Sequence, residues 1–360
     1  MSRPGKVVIH LAALRHNLSR VRELAPGCRV MAVVKADAYG HGLVRVAGAL
    51  ADADSFGVAC LEEAEQLREA GVTRPLVLLE GPFAADELPR IAALGLEMAV
   101  HHEEQLRMLE QARLPASIRV WLKLDSGMHR LGFAPDAVRE AWQRLRACAS
   151  VDPDIVLMSH MANASDPAST LVRQQLACFD AVAADLGGVR SMANSAGILH
   201  WPDSHYDYVR PGLMLYGVSP MDGTVAADHG LLPAMHFESR LISVKNLKRG
   251  DPVGYGAAWS CPEDMPVGIV AAGYGDGFPR HAGTGTPVMV NGVRSRIVGN
   301  ASMDMLSIDL SPQPRARIGD PVQLWGDQLP VEEVAGHAGT IPYELLCGVQ
   351  PRLQFVEKDS

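Results

Sequence analysis

Lys35 ends the apolar run "VMAVVK". Asp37, Tyr39 and His41 follow within six residues, punctuated by Gly40 and Gly42. An ammonium is costly in such a place, because burial and cationic neighbours both favour the neutral amine. A neutral lysine is a nucleophile for aldehydes and forms a Schiff base with them. The competing reading is a lysine that snorkels to solvent, and the company it keeps argues against that. Lys123, Asp125 and Arg130 follow a later apolar run, and His160, Ser195 and then Arg210 with Gly212 follow the next three. The set is rich in cations and poor in carboxylates, so it suits an anion: a phosphate, a carboxylate, or both.

These residues share a position, the end of an apolar run, and that position implies a scaffold. Eight runs occur in order: "RVMAVVK" (29–35), "FGVAC" (56–60), "PLVLLEG" (75–81), "LEMAVHH" (96–102), "SIRVWLKLD" (117–125), "DIVLMSH" (154–160), "RSMANSAG" (190–197) and "YDYVRPGLM" (206–214). Amphipathic helix patterns such as "LEEAEQLREAG", "EEQLRMLEQAR" and "APDAVREAWQRLRAC" lie between them. Continuous apolar strands alternating with helices predict a parallel sheet covered on both faces. Eight such units make a (β/α)₈ barrel, whose chemistry sits at the C-terminal ends of its strands. A doubly wound open sheet is the alternative. After about residue 230 the rhythm changes to short runs separated by turns, with Asn291-Gly292 as a hairpin signal. The expected division is a barrel over residues 1–230 and a mostly β domain over 231–360. One helix in "PVEEVAGHAG" and a last strand in "RLQFVE" complete the second domain.

Composition excludes several classes. The chain has 360 residues, 48% apolar and 21% charged, with a net charge of −8. No dense Lys/Arg run argues for nucleic acid. The six cysteines are scattered without a CxxC pair, which fits reduced thiols. No signal peptide or stretch of about 20 apolar residues is apparent, so a cytoplasmic protein without a membrane span is expected. His101-His102 and "HWPDSHYD" lack metal-ligand spacing, so no metal is expected. Neither a dinucleotide fingerprint nor a Gly-Lys-Ser/Thr phosphate loop occurs.

"AVVKADAYGHG" resembles the pyridoxal 5'-phosphate site of the alanine racemases. Further motifs resemble the family in order and spacing: "KLDSGMHRLGF" (123–133), "SHMANAS" (159–165), "MANSAG" (192–197), "YDYVRPGLMLYG" (206–217), "VGYGAAWS" (253–260), "AAGYGDGFPR" (271–280), "SMDML" (302–306) and "IPYELLC" (341–347). The resemblance spans nearly the whole chain. It implies that Lys35 holds the cofactor as a Schiff base, and that Tyr39, Ser195, Tyr343 and the N–H groups around Gly212 and Leu213 hold its phosphate. Arg210 would face the pyridine nitrogen and His160 would orient Arg210. Arg130 would bind the cofactor's phenolic oxygen and the substrate carboxylate, helped by the N–H of Met303. Lys123 would prop Arg130 as a carbamate, where a bare ammonium would repel it, and Asp304 would support the region of the second base.

That second base would be Tyr255. Racemisation takes a proton from one face of Cα and returns one to the other, so it needs two groups on opposite sides. In this family the tyrosine comes from the partner subunit, which implies a homodimer with shared sites. Tyr255, Tyr343 and Tyr274 would narrow the channel to alanine, and D-alanine for peptidoglycan is the role implied. Asn300 stands where an arginine is common and Ser165 where an aspartate is common, so the channel's charge and width are open. A broader racemase that also accepts serine is one alternative. A decarboxylase of basic amino acids on the same layout is another, disfavoured because those enzymes set a carboxylate against the ring nitrogen.

Overall fold

The computed structural model describes residues 3–359. A first strand, β1 (Lys6–His10), precedes the eight that close the barrel: β2 (Arg29–Val33), β3 (Ser55–Val58), β4 (Leu76–Leu78), β5 (Glu97–Val100), β6 (Val120–Lys123), β7 (Val156–Met158), β8 (Val189–Ser191) and β9 (Tyr208–Val209). All eight are parallel, and β9 pairs back onto β2. Each falls on one of the eight apolar runs, β3 and β8 starting one residue before theirs, so the (β/α)₈ expectation holds. Side chains of alternate positions, Met31, Val77, Ala99, Trp121, Val156, Met158 and Tyr208, form a separate buried cluster that fills the barrel interior. Trp121 stays paired there by donating to Glu97 Oε2 at 2.6 Å.

The outer helices follow their sequence signals. In Glu103–Gln111 the His102 side chain accepts from the Gln105 N–H, Glu103 and Glu104 occupy the first turn, and Leu106 and Leu109 face the core. That is an N-cap with charges favourable to the helix dipole. Pro135 opens Pro135–Ala147, where its missing N–H costs nothing, and Arg144 and Arg146 sit in the last turn.

The second domain is mostly β. Its long strand β10 (Met235–Leu247) pairs with strands Met265–Val270 and Pro321–Trp325. Asn291 and Gly292 both take positive φ, 49° and 76°, and Val290 faces Val293, as a two-residue hairpin requires. Of the elements that went unread in the sequence, two bear on the site's placement. One is β1, which joins this second sheet and not the barrel, antiparallel to β10 and parallel to the last strand, Gln354–Lys358. Its three buried residues, Val7, Val8 and Ile9, are too short a run to stand out. The other is helix Pro342–Cys347, hidden in "IPYELLC".

Where β1 meets β10, the rings of His10 and His236 touch with centroids 4.1 Å apart and planes tilted by 40°. Burial, reinforced by His10, lowers the His236 imidazole to about 4, against the opposing pull of Asp327 and Glu238. An unfolded histidine binds its proton near pH 6.5. Between about pH 6.5 and 4 the unfolded chain therefore carries more protons, and stability falls as pH falls; above 6.5 both states are neutral and the effect vanishes. The loss attributable to His236 is about 3 kcal/mol across that window. Urea unfolding of His236→Phe at pH 7 and pH 4.5 should show a shallower decline than the parent, and equal declines would refute the assignment.

Candidate active site

At the C-terminal mouth of the barrel lies a cavity of about 640 Å³, the size of a small-ligand site. Lys35, Tyr39, Lys123, Arg130, His160, Ser195, Arg210, Gly212, Leu213 and Tyr343 all line it. The barrel brings together residues from Lys35 to Leu213. Tyr343 arrives from the second domain on Pro342–Cys347, and its ring lies 5.7 Å from that of Tyr39.

Lys35 does not end a strand: β2 stops at Val33, and Lys35 opens a tight turn. Ala36, Asp37, Ala38 and Tyr39 all have φ between 51° and 55°, so the chain makes a left-handed helical turn without glycine. Such backbone costs roughly 1–2 kcal/mol per residue and persists only where surroundings impose it. Here Glu63 Oε1 accepts from the Ala36 N–H at 2.7 Å, and Asp37 Oδ1 from the Leu43 N–H at 2.7 Å. The Tyr39 ring stacks on Tyr216 at 4.6 Å, and Tyr216 in turn donates to the Val33 carbonyl at 2.9 Å. The result points Lys35 and Tyr39 into the same cavity. The Lys35 side chain is 37% exposed, with Nζ 4.0 Å from Glu80 Oε1. The expected desolvated amine among cations is thus an open one facing a carboxylate.

Arg210 is buried and held by neutral acceptors. It donates to Ser191 Oγ and the Ser159 carbonyl at 2.5 Å each, and to the Met192 carbonyl at 3.3 Å. His160 Nδ1 lies 3.5 Å from the same guanidinium. Burial, then Arg210 and the other cations, drives the His160 imidazole well below its ordinary value, so its nitrogen can accept. Burial lowers Arg210 only to about 10, which leaves it charged at neutral pH. Among the described residues nothing accepts from its Nε. Lys123, at the end of β6, is buried and lowered to about 8, by burial first and then by Arg210, Arg130 and Lys35.

A phosphate-sized cradle sits opposite. Ser195 Oγ accepts from the N–H groups of Gly212 and Met214 at 2.9 and 3.3 Å. A Cβ at position 212 would stand 2.5 Å from Tyr39 Oη, so this approach of backbone to phenol needs glycine. Burial raises both the Tyr39 and Tyr343 phenols, which keeps them protonated as donors.

Four expected residues lie elsewhere. Tyr255, Met303 and Tyr274 are exposed on the second domain, by 74%, 52% and 38%, and do not line this chain's cavity. They form one face: Asn300 Nδ2 donates to the Tyr255 carbonyl at 3.3 Å, and the N–H groups of Tyr274 and Gly275 donate to the carbonyls of Ser302 and Met303. Asp304 pairs with Arg3 and Arg352, which also hold the buried Asp276. It braces the two loops carrying Tyr274 and Met303 and does not touch Tyr255 by any hydrogen bond found among the described residues. Asp125 caps the turn before Arg130, accepting from the N–H groups of Gly127 and His129. Ser165 pairs with Asp222 at 3.3 Å. Sequence reading overlooked Glu80, Glu63, Ser159, Ser191 and Tyr216. A carboxylate two residues past β4 was the signal available for Glu80.

Fold and site together define a barrel enzyme whose mouth has the charge and size to suit a small anionic molecule beside an open amine. Comparison with known proteins narrows this. The family model for the alanine racemase N-terminal domain matches residues 9–220, and that for the C-terminal domain residues 234–357. An alanine racemase from Halorhodospira halophila is 52% identical over 98% of both chains, and one from Pectobacterium atrosepticum 51% over 97% of this chain and 98% of its own. The crystal structure of a biosynthetic alanine racemase from Pseudomonas aeruginosa superposes with a TM-score of 0.96 at 46% identity, covering 99% of both chains. That of an alanine racemase from Acinetobacter baumannii gives 0.93 at 37% identity, over 99% of this chain and all of the other. The chain belongs to the alanine racemase family.

Proposed function

We propose that this protein interconverts L-alanine and D-alanine with pyridoxal 5'-phosphate, using one proton carrier on each face of the substrate's Cα. The observation that carries the reading is the joint presence in one cavity of an accessible lysine, a hydroxyl-and-amide cradle, and a buried arginine without a carboxylate partner.

The residues fit the cofactor. Tyr39, Ser195, Tyr343 and the N–H groups of Gly212 and Leu213 would hold its phosphate with neutral donors. Arg210 would donate to the ring nitrogen, and an arginine does not surrender its proton at working pH. His160, as a neutral acceptor, would help fix the guanidinium. When bound, the cofactor supplies an aldehyde for Lys35 and a conjugated ring that withdraws electrons from Cα. Arg130 would clamp the substrate carboxylate, with the N–H of Met303 in the partner subunit beside it. Lys123 repels Arg130 as an ammonium and would attract it as a carbamate; an amine lowered to about 8 is suited to that conversion.

Lys35 would take or give the proton on one face, and the partner subunit's Tyr255 on the other. Support for a shared site is the exposed face of Tyr255, Tyr274 and Met303, apolar surface of the kind that assembly covers. The chain then acts as a homodimer. Residues 1–230 would supply most of the cofactor site, joined by Tyr343 of the same chain, while the face of Tyr255, Tyr274 and Met303 within residues 231–360 would reach into the neighbour's, with β1 tying the two parts together. Tyr274 would narrow the channel with Tyr255 and Tyr343, and Asp304 would stiffen its Met303 side. No helix among the described residues is long and apolar enough to cross a membrane, which fits a cytoplasmic enzyme.

The test is a panel of L-amino acids in D₂O, following exchange of the α-proton and product chirality. Alanine should exchange and racemise, and lysine and ornithine should not. Release of CO₂ from the basic amino acids would instead mark a decarboxylase.

A further inference from the structure

We propose that Glu80 receives the substrate's ammonium group, and so makes the site selective for zwitterionic amino acids over simple carboxylic acids. The proposal rests on the reading above that the substrate is an amino acid.

Among the described residues that line the cavity, Glu80 is the one carboxylate, against Lys35, Lys123, Arg130 and Arg210. The two guanidinium groups that stay charged with the cofactor bound, Arg130 and Arg210, suit a substrate's carboxylate and repel its ammonium. A zwitterion therefore needs an anion placed where its nitrogen arrives. That place is defined by Lys35, because the substrate's nitrogen must come to the position held by Nζ in order to replace it. Glu80 Oε1 lies 4.0 Å from that atom, and both side chains are open to the cavity, 38% and 37% exposed.

The carboxylate is held there by its backbone. The Glu80 carbonyl accepts from His101 Nε2 and from Gln105 Nε2, both at 3.0 Å. Burial lowers the proton affinity of the His101 imidazole, so it acts as a neutral donor. The buried Gln105 also donates to the Pro82 carbonyl at 3.1 Å and accepts from the His101 N–H at 3.0 Å. Gly81 turns the chain at φ 70°, where a Cβ would stand 2.3 Å from the Ala99 carbonyl oxygen. With the main chain held on both sides, the Glu80 side chain lies along the mouth of the barrel, where it lines the cavity. The sequence pair His101-His102 thereby finds part of its use.

The test is Glu80→Gln in the cofactor-loaded enzyme, which keeps shape and removes charge. KM should rise about tenfold to a hundredfold for both enantiomers, the worth of a hydrogen bond to a charged group, with kcat within about threefold of the parent. The two enantiomers have equal free energy, so kcat/KM must fall by the same factor in both directions. Propionate has the carboxylate and lacks the amine. Its affinity, measured by calorimetry, should be unchanged or tighter, since a repelling carboxylate is gone. Glu80→Asp should fall between the two for alanine and leave propionate unaltered. A KM within about twofold of the parent overturns the proposal. So does equal weakening of alanine and propionate, which would mark general damage to the site. A parent enzyme inactive on alanine would refute the proposed function itself.

Discussion

Lys35→Ala should lose racemase activity by about 10⁴-fold or more, because the same atom both anchors the cofactor and carries one of the two protons. No neighbour can replace it. Lys123 lines the same cavity but is buried, 6% exposed, among the charges of Arg130 and Arg210, and the guanidinium groups do not release protons at working pH. The left-handed turn fixes Lys35 at the one point where an amine meets the cavity between Glu80 and the phosphate cradle. Borohydride reduction followed by peptide mapping gives a second readout. The parent should carry the cofactor on the peptide containing Lys35, and the variant should carry none. Added methylamine should restore part of the rate, since a free amine can enter the space vacated. Normal activity without added amine would contradict the role.

Tyr255→Phe should cost about 10³-fold in racemisation, within the range for a positioned acid or base. Its folding should be untouched. The side chain is 74% exposed, and no hydrogen bond from its hydroxyl is made within the described residues. The loss should be one-sided in a way that rates alone do not show. In D₂O the enantiomer whose α-proton faces Lys35 should still exchange, and it should do so with retention, because nothing remains to deliver a proton to the far face. The other enantiomer should neither exchange nor invert. Equal exchange of both would place the second proton carrier elsewhere.

Much of this was legible because a barrel converts sequence position into spatial position. A polar residue at the end of an apolar run must lie at the mouth, and Lys35, Lys123, His160, Ser195 and Arg210 were found on that rule. Tyr343 and the face of Tyr255, Tyr274 and Met303 came from family resemblance, since no periodicity ties the second domain to the first domain's mouth. What stayed hidden was local conformation. Nothing in "KADAYG" announces four successive left-handed residues, because Ala and Tyr have no preference for that region; Glu63, far along the chain, imposes it. Glu80 ends the third apolar run, "PLVLLEG", and was missed because a lone carboxylate stood against the cationic pattern of the other run ends. Ser159 and Ser191 are small polar residues within or beside strands. Their value appears once a buried guanidinium needs acceptors. The strand β1 went unread because one apolar triplet near a terminus carries too little pattern to assign it to a sheet formed more than two hundred residues later.

The central claim is that each site draws its two proton carriers from two subunits, and mixing inactive parents tests it most directly. Lys35→Ala and Tyr255→Phe proteins, each nearly inactive alone, are unfolded together and refolded, or co-expressed with different tags. A mixed dimer then holds one site with both defects and one with neither. Random pairing puts about half of the dimers in the mixed form, so the whole mixture should recover about a quarter of the parental activity, and the doubly tagged dimer, isolated, about half. A mixed dimer as inactive as its parents would contradict the shared site and place both proton carriers within one chain.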